Sequence, residues 1–112
     1  MHPAYPGGFE ILAACRPDAV ILQHAPAREF YDGFPHAPLH PIERQIEAVE
    51  LISGRPVIAI TLNHEGLDEA AADRWRGRLA ATTGLPVIDV LADGAEALAR
   101  LVKNTRRRGR GA

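Results

Sequence analysis

The stretch Pro56-Val-Ile-Ala-Ile-Thr-Leu62 carries the clearest structural signal in the sequence. Apart from one threonine it is apolar throughout, and it lacks the alternation of a strand with one solvated face. Continuous runs of this kind are typical of strands buried on both faces of a parallel sheet. Two further runs share the pattern, Asp18-Ala-Val-Ile-Leu-Gln23 and Pro86-Val-Ile-Asp-Val90. We therefore predict about three parallel strands.

Helical patterns lie before, between and after these runs. Four helices are predicted, near residues 8–15, 41–53, 68–83 and 93–103. Asp68 is a natural N-cap, and Gly54 and Gly84 are natural helix ends. Alternating helices and strands predict an α/β fold with a parallel sheet. Because sheets average about five or six strands, a sheet of three strands should leave an unpaired edge, as in an incomplete domain or one that pairs with another chain.

The composition bounds the class of protein. The 112 residues suffice for one domain with its own core. No apolar run approaches the length of about 18 residues that a membrane span needs, and residues 1–9 lack the pattern of a signal peptide. The single cysteine excludes an internal disulfide and a cysteine zinc cluster. We expect a cytoplasmic protein without a membrane contact.

The charge is unevenly distributed. Residues 103–112 hold five basic side chains and no acidic one, whereas residues 1–102 are acidic overall. Terminal blocks of like charge are usually disordered. We therefore predict a folded segment, 1–102, and a disordered Arg-rich tail, 103–112. Nucleic-acid binding by this tail is not favoured, because no aromatic residue lies among its arginines to stack on a base.

One connection differs from the others. Residues 24–40 follow the first predicted strand and contain three prolines and three histidines. A strand-to-helix loop of this length is far above the usual range of roughly two to six residues, and such loops are often functional. Ligands of open α/β sheets bind beyond the carboxyl ends of the strands. Polar residues follow all three predicted strands there: His24 and Arg28, Asn63 and His64, and Asp93.

Several chemistries can be weighed from motifs. The sequence lacks the P-loop pattern, the dinucleotide fingerprint and the nucleophile elbow of serine hydrolases. A metal-dependent hydrolase built on His24, His36 and His40 is an alternative, but Pro38 disfavours a helical histidine pair, and we expect no metal site. Asn63, directly after a buried strand, could contact a base edge or could instead cap its own loop.

Taken together, these stretches resemble the C-terminal part of a bacterial family, the D-glutamate N-acetyltransferase-like proteins, long described as a domain of unknown function with a P-loop fold. The resemblance runs from residue 2 to about residue 102. Four segments carry it: HPAYPGG (2–8), RPDAVILQHAPAR (16–28), YDGFPHAPLHPIERQIEAVELI (31–52), and VIAITLNHEGLDEAAA (57–72) with TGLPVIDVLADGAEAL (83–98). The chain departs from the family pattern at Ala25, where glutamate is frequent, and at Val90, where proline is frequent.

The resemblance implies part of a P-loop-type three-layer sandwich and N-acyl transfer from acetyl-CoA to an amino acid. Family members also carry an N-terminal Rossmann-like domain and a P-loop, which these residues lack. On this basis His2 and His24 are candidate proton acceptors, because an amino group must lose a proton before it attacks a thioester. Tyr5 and Arg28 are candidate substrate-binding residues. Two further residues, Asn63 and His64, are candidates for contacting the cofactor, acetyl-CoA or a nucleotide.

Two functional hypotheses follow. In the first, the chain is a C-terminal fragment or a separately encoded part of such a transferase, and it is inactive and holds no cofactor alone. In the second, it is a non-catalytic interaction module that pairs with itself or a partner chain through its open sheet edge, with the basic tail adding electrostatic attraction.

Overall fold

The computed structural model of the chain describes residues 7–31 and 33–111. This part of the chain forms, in order, α1 (Gly7–Cys15), β1 (Val20–His24), β2 (Phe30–Tyr31), β3 (Phe34–Pro38), α2 (Ile42–Ser53), β4 (Val57–Leu62), α3 (Glu69–Thr83), β5 (Val87–Ile88), α4 (Val90–Asp93) and α5 (Glu96–Gly111).

The main sheet has three parallel strands in the order β1-β4-β5. The central strand, β4, is the apolar run 57–62, and Ile60 on it is fully buried. Helix α2 connects β1 to β4, and α3 connects β4 to β5. The predicted α/β class, with about three parallel strands and flanking helices, is confirmed.

The core lies between β4 and the two connecting helices. Ile60 and Leu62 of the strand pack with Ile42 of α2 and with Ala72 and Leu79 of α3. This packing holds the carboxyl end of β4 against the first turn of each helix, so the segments that leave the sheet there start from rigid supports.

The predicted helix boundaries are confirmed where they rest on local chemistry. Asp68 is the N-cap of α3, and its Oδ1 accepts a hydrogen bond from the Ala71 N–H at 2.7 Å. Helices α2 and α3 end at Gly54 and Gly84, both with left-handed backbone. Among the described residues no helix combines the length and the apolar character needed to cross a membrane.

The segment 24–40 is not one long loop, because it contains an antiparallel hairpin, β2–β3. Tyr31 pairs with Phe34 on either side of the turn residue Gly33. Two-residue hairpin turns favour an Asp-Gly pair, which the sequence has at 32–33, and Gly33 takes the required positive φ of 77°. The local turn signal therefore outweighs the loop-like composition of the segment.

The C-terminal part differs from the prediction in two ways. The third strand is only Val87–Ile88, because Asp89 ends it and caps the short helix α4. Helix α5, Glu96–Gly111, extends beyond the predicted helix at residues 93–103. Arginine and lysine have high helix propensity, and Thr105 Oγ1 donates to the Leu101 carbonyl at 2.9 Å within this helix.

Candidate functional site

A hydrogen bond between a histidine and a buried carboxylate joins the ends of β4 and β5. His64, two residues after β4, donates from Nδ1 to Asp89 Oδ2 at 2.8 Å, and Asp89 directly follows β5. Asp89 is 2% exposed, whereas the His64 side chain is 40% exposed. The ring is thus held by a buried acceptor while part of it reaches solvent. With Nδ1 donating, Nε2 carries the lone pair of the neutral ring.

The Asp89 carboxylate is stabilised in its charged form. Burial raises the pKa of this carboxyl group, but the hydrogen bond from His64 and the backbone N–H groups of Ala92 and Leu91 lower it more. The pKa therefore lies below its ordinary value of 3.8. The N–H of Ala92 reaches Asp89 Oδ1 at 3.2 Å, so Asp89 caps α4 and holds His64 with its two oxygens.

The segments that leave β1 and β4 are joined to each other. The Asn63 N–H donates to the His24 carbonyl at 2.8 Å. Arg28 Nη2 and Glu65 Oε2 form an ion pair at 2.7 Å. These contacts bring the exits of the first two strands together, as the parallel order predicts.

His24 lies at the end of β1 and is half-buried. Burial lowers the pKa of its imidazole below the ordinary value of 6.5, and the nearby Glu43 carboxylate offsets only part of this effect. Burial thus favours the neutral form of the ring at pH 7. In this state it can accept a proton.

A cavity of about 550 Å³ opens beside His24. We call it the hairpin cavity, because it lies between the segments flanking β2–β3, the start of α2 and one face of α3. Its charged lining residues are Arg28, Glu29, Glu43 and Arg78. Its volume falls in the roughly 300–1,000 Å³ range of small-molecule sites.

A second cavity, of about 360 Å³, lies between α3 and α4 and includes His64 and Asp89. We call it the α3–α4 cavity. Arg76 lines it and pairs with Asp93 at 2.9 Å. Asp68, Glu69 and Asp73 also line it, so the cavity is predominantly acidic.

The three histidines of the metal hypothesis do not form one group. His40 Nδ1 lies 2.8 Å from the Tyr31 hydroxyl, and His36 is exposed on β3. Within residues 7–31 and 33–111 no three His, Cys, Asp or Glu side chains are grouped to hold a metal ion. His24 and His40 do share the lining of the hairpin cavity.

The other sequence-predicted residues have different placements. His2 and Tyr5 lie outside the described residues. The Asn63 carboxamide oxygen accepts the Glu65 N–H at 3.0 Å, which is the loop-capping alternative. Sequence reasoning missed Asp89 as a site residue. The signal available was a single acidic residue interrupting the apolar run 86–90.

Comparison with known proteins gives matches that cover most of this chain. Residues 1–99 match the family described as domain of unknown function (DUF1611_C) P-loop domain. A Pseudoalteromonas protein named D-glutamate N-acetyltransferase is 30% identical over 87% of this chain and 31% of its own length. The crystal structure of a DUF1611 family protein from Anabaena variabilis has a TM-score of 0.83 at 29% identity, over 92% of this chain and 32% of that one.

The chain thus spans about a third of the length of these two relatives. The matched region includes all three parallel strands and the polar residues that follow them. The resemblance inferred from the sequence is confirmed, and the chain belongs to the DUF1611 C-terminal P-loop domain family.

Proposed function

We propose that this domain is part of an N-acetyltransferase that moves the acetyl group of acetyl-CoA to the amino group of an amino acid, D-glutamate. The name of the Pseudoalteromonas relative, which aligns with 87% of this chain, supports the reaction. The observation that carries the proposal lies within the aligned domain. A half-buried, neutral histidine, His24, lines a cavity together with Arg28 at the carboxyl end of a parallel strand.

The chemistry requires a proton acceptor and a carboxylate-binding group. An amino acid carries its amino group as ammonium at neutral pH, and only the free amine attacks a thioester. His24 accepts the proton that the ammonium must lose. Arg28 binds a substrate carboxylate through N–H groups not engaged with Glu65, because a guanidinium has five donors. Acetyl-CoA supplies the acetyl group: as the amide C–N bond forms, the thioester C–S bond breaks and coenzyme A leaves as the thiol.

The residues present can bind only part of acetyl-CoA, the second substrate. The 112 residues contain no P-loop motif, so they offer no glycine-rich cradle for the phosphates of acetyl-CoA or of a nucleotide. We place Asn63 and His64 at the non-phosphate end of that molecule. We therefore expect no acetylation of D-glutamate by the isolated chain.

The test transplants the domain. Residues 1–99 replace the matching third of the Pseudoalteromonas relative, and acetylation of D-glutamate is measured. We expect activity, and we expect His24→Ala to lower kcat about 100-fold, the lower end of general-base effects. The matched control is His36→Ala, which changes an exposed histidine of the hairpin and should leave kcat unchanged.

Three outcomes would contradict the proposal or a part of it. A folded chimera without acetylation would argue against a transferase role for this domain. Full activity of the His24→Ala chimera would exclude His24 as the proton acceptor. Turnover by the isolated 112 residues would show that the missing phosphate cradle is not needed.

A second function, a non-catalytic interaction module, is favoured by one observation. Strand β1 pairs with β4 along one side, and within residues 7–31 and 33–111 no strand pairs with its other side. Ile21 on this strand is 36% exposed. Unpaired strand edges with exposed apolar residues pair readily with other chains. Such a module would need no chemistry at His24.

A further inference from the structure

The hairpin cavity is lined by charged groups of both signs. Two guanidinium groups, from Arg28 and Arg78, and two carboxylates, from Glu29 and Glu43, surround an apolar lining. This pattern complements a small molecule that carries both anionic and cationic groups. The apolar lining comes from Leu39, Ile42, Trp75 and Leu79.

We propose that the hairpin cavity binds the acceptor amino acid, with Arg28 and Arg78 taking its two carboxylates and Glu43 facing its ammonium group beside His24. The choice of an acidic amino acid rests on the proposed function. The location and the two new residues, Arg78 and Glu43, rest on the geometry of the cavity.

Arg78 is positioned by stacking. Its Cζ lies 5.0 Å from the centroid of the Trp75 ring, a cation–π distance. Among the described residues Arg78 forms no ion pair, unlike Arg28, Arg76 and Arg100. A stacked guanidinium keeps its N–H groups in the plane of the fork, where they can bind a carboxylate through two parallel hydrogen bonds.

Glu43 completes the arrangement. It lies in the first turn of α2 and is close enough to His24 to affect the pKa of the imidazole. An ammonium group placed between this carboxylate and the neutral ring would be attracted by one and deprotonated by the other. The cavity therefore holds a carboxylate-binding part and an ammonium-binding part.

The α3–α4 cavity does not suit the same ligand. Its lining has five acidic side chains and one arginine, Arg76, whereas the hairpin cavity has two of each sign. A molecule with two carboxylates would be repelled there. The contrast makes the hairpin cavity the better acceptor site of the two.

The test uses the intact 112-residue chain and D-glutamate. Trp75 is the only tryptophan of the sequence and lines the cavity, so tryptophan fluorescence reports binding directly. We expect a saturable change. Arg78→Gln should weaken binding about tenfold or more, which corresponds to the loss of one charged hydrogen-bonding partner. Because this change also alters the surroundings of Trp75, calorimetry measures the affinity in parallel.

The matched control is Arg74→Gln, one turn earlier on α3. Arg74 is exposed and does not line the hairpin cavity. The affinity of this variant for D-glutamate should therefore stay within about twofold of wild type. Ligands provide a second control. Glutarate lacks the ammonium group and D-norvaline lacks the side-chain carboxylate. Glu43→Gln should weaken the binding of D-glutamate but not that of glutarate.

The outcomes separate this inference from the proposed function. If D-glutamate does not bind the chain, or binds Arg78→Gln as tightly as wild type, the acceptor site is wrong. An active chimera whose KM for D-glutamate is unaffected by Arg78→Gln would also reject the site while the transferase function stands. An inactive chimera combined with Arg78-dependent binding would retain the site and reject the function.

Discussion

At the scale of single residues, a substitution at the buried Asp89 tests how much its hydrogen bonds at the ends of β4 and β5 stabilise the fold. Its carboxylate accepts hydrogen bonds from His64 and from the N–H of Ala92. Asp89→Asn keeps the shape and an acceptor for the cap but removes the charge. We expect the free energy of unfolding at pH 7 to fall by about 1–2 kcal/mol, since hydrogen bonds to charged groups contribute about 1.5–3 kcal/mol. Denaturant unfolding measures this loss.

The loss should depend on pH in a defined direction. The pKa of Asp89 is lower in the folded chain than its ordinary value of 3.8, so its stabilisation is fully present above that value. It disappears as the pH falls through the folded pKa. The difference between wild type and Asp89→Asn should therefore shrink with acid. Asp93→Asn is the control, because its partly exposed pair with Arg76 should contribute less than about 1 kcal/mol. Equal losses for both variants would contradict the assignment.

Residues also differ in how far sequence reasoning could place them. Asp68 and Gly84 were predictable because capping depends on neighbours within a few positions. The partner of Asp89 is 25 positions away, so no local pattern specifies it. The place of Arg78 could not be predicted either, because its cavity is formed by segments that come together with α3 only in the folded chain. His24 and Arg28 could be located because strand ends converge at one edge of a parallel sheet.

At the scale of elements, the exits of β1 and β4 approach each other at Gly66. Its φ is 74°, and a Cβ built there would lie 3.3 Å from Ala27 Cβ. Gly66→Ala combines left-handed strain, about 1 kcal/mol or more, with this close contact. Gly84→Ala is the matched control, because its φ of 69° is similar and no atom lies within 4 Å. We expect the larger loss of unfolding free energy at Gly66.

A second substitution isolates the contact. Adding Ala27→Gly to Gly66→Ala removes the Cβ that the new side chain meets. The double variant should then lose less unfolding free energy than the two single substitutions lose in sum. Thermal and denaturant unfolding check this. If the two substitutions are simply additive, the loops are free to separate and the approach does not limit stability.

The hairpin shows what an element-level prediction can overlook. Prolines and histidines in 24–40 suggest a loop, yet the Asp-Gly pair at 32–33 is a turn signal of a β-hairpin. Pro35 and Pro38 are tolerated because this two-stranded sheet is all edge. The hairpin does not replace the functional interpretation of the segment, since Leu39 and His40 directly after β3 still line the cavity beside His24.

At the scale of the whole molecule, we expect association through the sheet edge formed by β1, which pairs with no strand other than β4 among the described residues. Every second residue of β1 is exposed, and Ile21 is one of them. The backbone groups on this side can pair with a second strand. We expect the 112-residue chain to associate as its concentration rises and to bind a hydrophobic dye. Sedimentation velocity over a concentration series measures the association.

A charged residue on the edge should suppress this behaviour, because lysine on an edge strand opposes further pairing. Ile21→Lys is therefore expected to shift the chain toward monomer and to lower dye binding. Leu51→Lys is the control. Leu51 is 82% exposed on α2, so the same substitution removes more exposed apolar surface without touching the strand edge. If Leu51→Lys abolishes association and Ile21→Lys does not, a helix surface mediates contact. If neither variant nor wild type associates, the interaction-module function loses the observation that favours it, and the transferase proposal remains.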